Sequence, residues 1–99
     1  MKNIFSIDNN PKTGEIFSEI IKHKNVIIEK IISSNKPGDK IYCQDQDEWV
    51  VILNGSAKLK IKDETHVLHR GEHLFIKSKT PHQVLETEKG TVWLAIHIY

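Results

Sequence analysis

An Asn54-Gly55 pair stands between the apolar run Trp49-Val50-Val51-Ile52-Leu53 and the alternating segment Ser56 to Lys62. Asn-Gly between two strand patterns is the strongest short-range hairpin signal, because both residues tolerate positive φ. In the second segment Ala57, Leu59 and Ile61 share one face and Lys58, Lys60 and Lys62 the other, which is the period of a strand with one wet face. The lysine row reads as a solubility face or as protection of a sheet edge. Similar punctuation continues along the chain. Val26 to Ile32 is β-branched and stops at Ser33-Ser34-Asn35-Lys36-Pro37-Gly38. Asp63-Glu64 turns into Thr65 to Leu68, Arg70-Gly71-Glu72 into His73 to Ile76, and Lys79-Thr80-Pro81 precedes His82 to Glu86. Glu88-Lys89-Gly90 makes the last turn before Thr91 to Tyr99. Turn signals every ~8–12 residues predict an all-β antiparallel sandwich or barrel of about seven or eight strands.

The N-terminal portion reads differently. Asn9-Asn10-Pro11-Lys12-Thr13-Gly14 is a turn or loop. Ile16, Phe17, Ile20 and Ile21 then recur at i, i+1, i+4 and i+5, with Glu15, Ser18, Glu19 and Lys22 opposite. That spacing predicts a short amphipathic helix of about ten residues, with His23 favourably placed at its carboxyl end. With 99 residues and 11.4 kDa the chain has material for one core. The expected organisation is a single domain, 1–99, made of an N-terminal loop and helix (1–24) and a β-barrel (25–99). No linker or repeat interrupts it.

Charge and composition narrow the function classes. Fourteen Lys and Arg against thirteen Asp and Glu leave a net charge of +1, without the basic excess of a nucleic-acid binder. No apolar run approaches the ~18 residues of a membrane span. Met1 to Asn10 lacks the apolar core of a secretion signal, and the single cysteine, Cys43, suits a reducing compartment. The expectation is a cytoplasmic protein with a small-molecule ligand and neither nucleic-acid nor membrane partners.

Two stretches together resemble the cupin superfamily. Gly38, then Tyr42-Cys43-Gln44, Glu48 and Gly55 follow the spacing of its first motif, with Tyr42 and Gln44 where that motif has two histidines. Gly71-Glu72-His73-Leu74-Phe75-Ile76 followed by Thr80-Pro81-His82 follows the second, with Lys77 at its usual proline, Lys79 at its second glycine and Glu86 at its closing asparagine. Asp45 to Val51 and Trp93 to His97 look like a narrower group of small bacterial single-domain cupins without a settled biochemical function. The resemblance implies a jelly-roll-like antiparallel barrel. It also implies a divalent transition metal (Fe, Mn, Ni, Cu or Zn) at Glu48, His82, Gln44 and Tyr42, and a homodimer.

Strand parity supports part of that transfer. Tyr42, Gln44, Gln46 and Glu48 share a face that Val50 and Ile52 continue, and His82 shares its face with Val84. An amide oxygen and a phenol are weak ligands beside imidazole, so the metal site would be degenerate, centred on Glu48 and His82. The alternative is a metal-free ligand-binding or sensing module in which Glu48 and His82 hydrogen-bond each other, water or a ligand. A metal-free isomerisation with Glu48 or His82 as base is a third reading. His97 shares a face with Trp93, Ala95 and Tyr99, but Val92, Leu94, Ile96 and Ile98 are as apolar, so either face could line the pocket.

The remaining candidates read as structural. His66, His69 and His73 fall on different faces or turns and read as surface residues. Cys43, of opposite parity to Tyr42 and Gln44, reads as a packed thiol pointing away from the pocket. Asp45, Asp47 and Glu48 lack the spacing of a calcium loop. No nucleophile elbow, phosphate loop or CxxC pair occurs. Trp49, Val51 and Leu53, opposite Glu48, need cover from the N-terminal helix, the first strand or a second subunit.

Overall fold

A computed structural model describes residues 1–6 and 10–99. Asn9, the start of the expected loop, lies outside the described residues, and residues 10–14 lead irregularly into the first strand. Nine strands are described: β1 (Glu15–His23), β2 (Val26–Ser33), β3 (Ile41–Tyr42), β4 (Asp47–Asn54), β5 (Ser56–Ile61), β6 (Glu64–His69), β7 (His73–Ile76), β8 (His82–Thr87) and β9 (Thr91–Ile98). They form two antiparallel sheets, in the orders β1-β2-β9-β4-β7 and β3-β8-β5-β6. The expected single barrel is therefore a pair of facing sheets whose edges are not joined.

The N-terminal helix is not present: Glu15–His23 is strand β1, paired with β2 from Glu15↔Ser33 to His23↔Val26. The register slips between Glu19 and Ile21, so Ile20 is an extra, bulged residue. A bulge shifts the side-chain alternation by one, and this places Ile16 and Ile21 on the same face, five residues apart. That offset imitated a helical period. The β-branched and aromatic residues of the segment suit a strand, and a two-residue loop at Lys24-Asn25 joins it to β2. His23 accordingly ends a strand and has no helix dipole to meet.

The Asn54-Gly55 signal also has a different meaning from the one expected. β4 and β5 do not pair: β4 lies between β9 and β7, and β5 between β8 and β6. Asn54-Gly55 is a corner at which the chain leaves one sheet for the other. Gly55 has φ +94°, and a Cβ there would lie 2.4 Å from Thr91 Oγ1. The nearby hairpin is instead β5–β6, with Ile61 opposite Glu64 and Lys62 at φ +52° in the loop. Because β5 is an internal strand, Lys58 and Lys60 protect no edge, and Lys62 belongs to the turn.

Between the sheets the inward faces meet in one apolar cluster. Val50 and Ile52 come from β4, Trp93 and Ala95 from β9, and Ile31 from β2; Ala57, Leu59, Leu68 and Val84 come from the smaller sheet, and Ile76 from β7. Burying each large aliphatic side chain contributes about 1.5–3 kcal/mol. On the outer face of the larger sheet, Val51 is buried while Trp49 and Leu53 are half-buried. Trp49 is opposite Phe75 in the register, and its Nε1 donates to His73 Nδ1 at 3.3 Å. On β2, Lys30 Nζ donates to the Ser6 carbonyl, which draws the N-terminal segment to that strand.

Candidate functional site

The inward face of β9 is the one carrying Trp93, Ala95 and His97, which resolves the alternatives for that strand. Trp93 and Ala95 join the core cluster, and His97 is 8% exposed. Between the sheets the apolar cluster borders a cavity of about 250 Å³. Tyr42, Gln44, Gln46, Glu48, His82 and His97 all line it, above a wall of Val50, Leu59, Ile76, Val84 and Trp93. β1 and β2 add Glu15, Glu19 and Glu29, three carboxylates that reading by motif had left unassigned. A signal for Glu29 existed in the alternation of β2; the bulge of β1 concealed the other two.

Glu48 and His82 are both 7% exposed. Their nearest atoms, Glu48 Oε1 and His82 Nε2, are 3.9 Å apart, beyond hydrogen-bond reach. Glu48 Oε1 instead accepts from Gln44 Nε2 at 2.7 Å. His82 Nδ1 lies 2.9 Å from the Thr80 carbonyl, which can only accept, so Nδ1 carries a proton. In the neutral ring Nε2 is then a bare acceptor. Tyr42 stacks on His82 with ring centroids 5.6 Å apart.

His97 belongs to a second group. Gln46 Nε2 can only donate, so His97 Nδ1 accepts from it at 3.2 Å, and His97 Nε2 donates to Glu29 Oε1 at 3.1 Å. Beyond it Ser33 links core to cavity: its Oγ accepts from Trp93 Nε1 at 2.8 Å and donates to Glu15 Oε2 at 2.6 Å. Burial raises the Glu15 carboxyl above its ordinary value against the Ser33 hydrogen bond, and the nearby Glu48 and Glu29 charges push the same way. Burial and the same carboxylates also raise the Tyr42 phenol, which keeps it protonated.

The donor set decides how well a metal fits. Among the described residues no three His, Cys, Asp or Glu side chains converge on a point. Gln44 turns its amide nitrogen to Glu48, and a protonated phenol is a poor ligand. What remains is the Glu48–His82 pair, which does not fit a tightly held ion with three or four protein ligands.

Other candidates lie outside the cavity. His69 contacts Glu72, whose Oε1 accepts from the His69 backbone N–H at 2.8 Å and so holds that carboxyl below its ordinary value. His66 is half-buried beside Glu64, and His73 packs on Trp49. Cys43 points away from the cavity but is exposed, not packed. Three residues past the second motif's strand, Lys79 takes φ +58° where the motif has its second glycine.

Two facing antiparallel sheets with a cavity between them define an all-β domain of jelly-roll type, and comparison with known proteins agrees. The cupin-domain family matches residues 36–97. A protein of Ralstonia eutropha JMP134, provisionally assigned as a mannose-6-phosphate isomerase, is 32% identical over 99% of this chain and 96% of its own, with a TM-score of 0.86. The chain belongs to the cupin family. The cupin domain of an XRE-family transcriptional regulator from Enterobacter cloacae shares the fold at 14% identity, covering 88% of this chain and 98% of its own, with a TM-score of 0.76. So does cobalt(II) HppE in complex with its substrate, at 15% identity over 86% of this chain and 52% of its own, with a TM-score of 0.75. No curated protein matches the chain. No helix among the described residues is long and apolar enough to cross a membrane.

Proposed function

We propose that this cupin is a small-molecule-binding module whose ligand occupies the inter-sheet cavity without a tightly bound metal. One observation carries the reading. Above an apolar wall the cavity offers two acceptor atoms, Glu48 Oε2 and His82 Nε2, that meet no hydrogen-bond donor among the described residues and, although their side chains are largely buried, are not sealed from the cavity. Unpartnered acceptors facing a cavity invite a ligand that completes them. Gln44 orients Glu48, Thr80 orients His82, and the Gln46–His97–Glu29 chain lies beside Glu48, with His97 its cross-strand partner. The sugar phosphate in the name of the Ralstonia protein does not transfer easily, since neither Lys nor Arg lines this cavity. The test is a panel of small amines, polyols, carboxylates and sugars followed by proton–nitrogen NMR. Saturable shifts at the Trp93 indole and at the His82 and Glu48 amides are expected for one chemical class. Shifts confined to residues outside the cavity would refute the reading.

One observation favours a second reading. A histidine anchored through Nδ1 to a backbone carbonyl, with Nε2 free, is oriented as metal-binding histidines are. A weakly held divalent ion at Glu48 and His82 would then sit beside the ligand. Elemental analysis of untagged protein decides it: under about 0.1 equivalent of Fe, Mn, Ni, Cu or Zn, with no metal-induced rise in Tm, removes this reading. We place the protein in a reducing compartment such as the cytoplasm, in keeping with its exposed free thiol at Cys43. We also take it to be a homodimer, supported by the apolar residues Ile16, Phe17, Ile20 and Ile21 exposed on edge strand β1.

A further inference from the structure

We propose that the ligand of this cavity is a small organic cation, a primary ammonium or guanidinium carried on a short apolar body. The proposal rests on the reading of the cavity as a ligand site and deepens it by charge and shape.

Four carboxylates line the cavity, Glu15, Glu19, Glu29 and Glu48, and no Lys or Arg does. The chain as a whole has a net charge of +1, so the negative charge is a property of this one place. Even with both His82 and His97 protonated, the lining would remain negative. Lys40 Nζ sits over the Tyr42 ring, 4.6 Å from its centroid, on an exposed side chain outside the lining, and Lys22, opposite the lining residue Ile27, is exposed too. The carboxylates feel one another: Glu48 and Glu29 both act to raise the Glu15 carboxyl. A ligand bearing positive charge relieves that repulsion, and an anion adds to it.

Hydrogen-bond accounting gives a second, independent argument. His82 is 7% exposed, with its Nδ1 proton committed to Thr80, so the unpartnered Nε2 can only accept in the neutral ring. Glu48, equally buried, has one oxygen taken by Gln44 and the other without a donor among the described residues. These two unpartnered atoms are acceptors, so they call for donors, which an ammonium or guanidinium supplies and a carboxylate or phosphate does not. Shape separates an organic cation from a metal ion. The carboxylates are distributed around the space and do not converge on a point, and the adjoining wall is Val50, Leu59, Ile76, Val84 and Trp93. At about 250 Å³ the cavity is smaller than the pockets of roughly 300–1,000 Å³ that hold drug-sized molecules, which limits the body to a few carbons.

Three probes of equal chain length and different head charge test the idea: n-pentylammonium, n-pentanol and hexanoate, each titrated into the full-length protein and followed at the Trp93 indole and the Glu48 and His82 amides by NMR. The expected order is pentylammonium tightest, by about tenfold over pentanol, with hexanoate not binding. Glu29→Gln and Glu48→Gln should each weaken pentylammonium severalfold more than they weaken pentanol. Pentanol or hexanoate binding as tightly as pentylammonium overturns the charge class but leaves the cavity as a ligand site. Unchanged pentylammonium binding in both variants also overturns it. If none of the three probes shifts the cavity resonances, the ligand-site reading falls as well.

Discussion

Glu15 is where the chemistry of single residues bears most directly on stability. Its carboxylate accepts from Ser33 Oγ, which in turn satisfies the buried Trp93 indole, so one serine links the core to the cavity wall. Burial first, and then the Glu48 and Glu29 charges, raise its folded-state pKa above the ordinary 4.5. A raised carboxyl holds its proton more tightly in the folded chain than in the unfolded one. Its contribution to stability is therefore complete below the ordinary value and is lost as pH rises through the folded value. Glu15→Gln keeps an oxygen for Ser33 and removes the charge. The variant should melt above wild type at pH 7, with the difference vanishing below about pH 4. An equal or lower Tm at neutral pH would contradict this account of the cavity's charge.

Elements in this fold are defined as much by where the chain changes sheet as by the strands themselves. At the β4–β5 corner the backbone passes so close to β9 that Gly55 has no room for a side chain: a Cβ would meet the Thr91 Oγ1, Cα and Cβ at 2.4, 2.9 and 2.9 Å. Thr91 cannot easily give way, since its hydroxyl donates to the Glu88 carbonyl at 2.7 Å and accepts from the Ser56 backbone N–H at 3.3 Å. Gly55→Ala should cost about 2–4 kcal/mol, from overpacking plus a non-glycine residue at φ +94°, measured by urea denaturation. A loss under about 0.5 kcal/mol would mean the corner yields without strain. The bulge at Ile20 is the same kind of device in β1, re-aiming Ile21 to the outer face and leaving Glu15, Phe17 and Glu19 on the cavity side.

For the whole molecule the open question is what covers β1. It is an edge strand, exposed along nearly its full length, with Ile16, Phe17, Ile20 and Ile21 all at least 38% exposed. A long apolar edge left in water invites strand addition, and a second copy of the chain is the occupant we expect. Sedimentation at micromolar concentration should give a species near twice the 11.4 kDa chain mass, and Ile20→Lys should shift it toward the monomer. A single monomeric species for wild type would end the dimer proposal.

The approximate positions of β2 and of β4 to β9 were legible in the sequence, because a period of two needs only local alternation. Tyr42, Gln44, Gln46 and Glu48 do line one cavity, but from β3, a connecting loop and β4 in two different sheets and not from one strand face. His82 was legible through motif spacing. The two acidic residues of β1 were not, because a single bulged residue moved the alternation out of phase and imitated a helix. Nor was the orientation of His97, since both faces of β9 are apolar and pairing with β2 and β4 alone selects the inward one. Asn54-Gly55 shows the limit most clearly. Local chemistry determined that the chain must turn there, but whether the strands on either side pair or part depends on which neighbours bury them. That choice belongs to long-range packing, and it is what opens the acidic cavity between the two sheets.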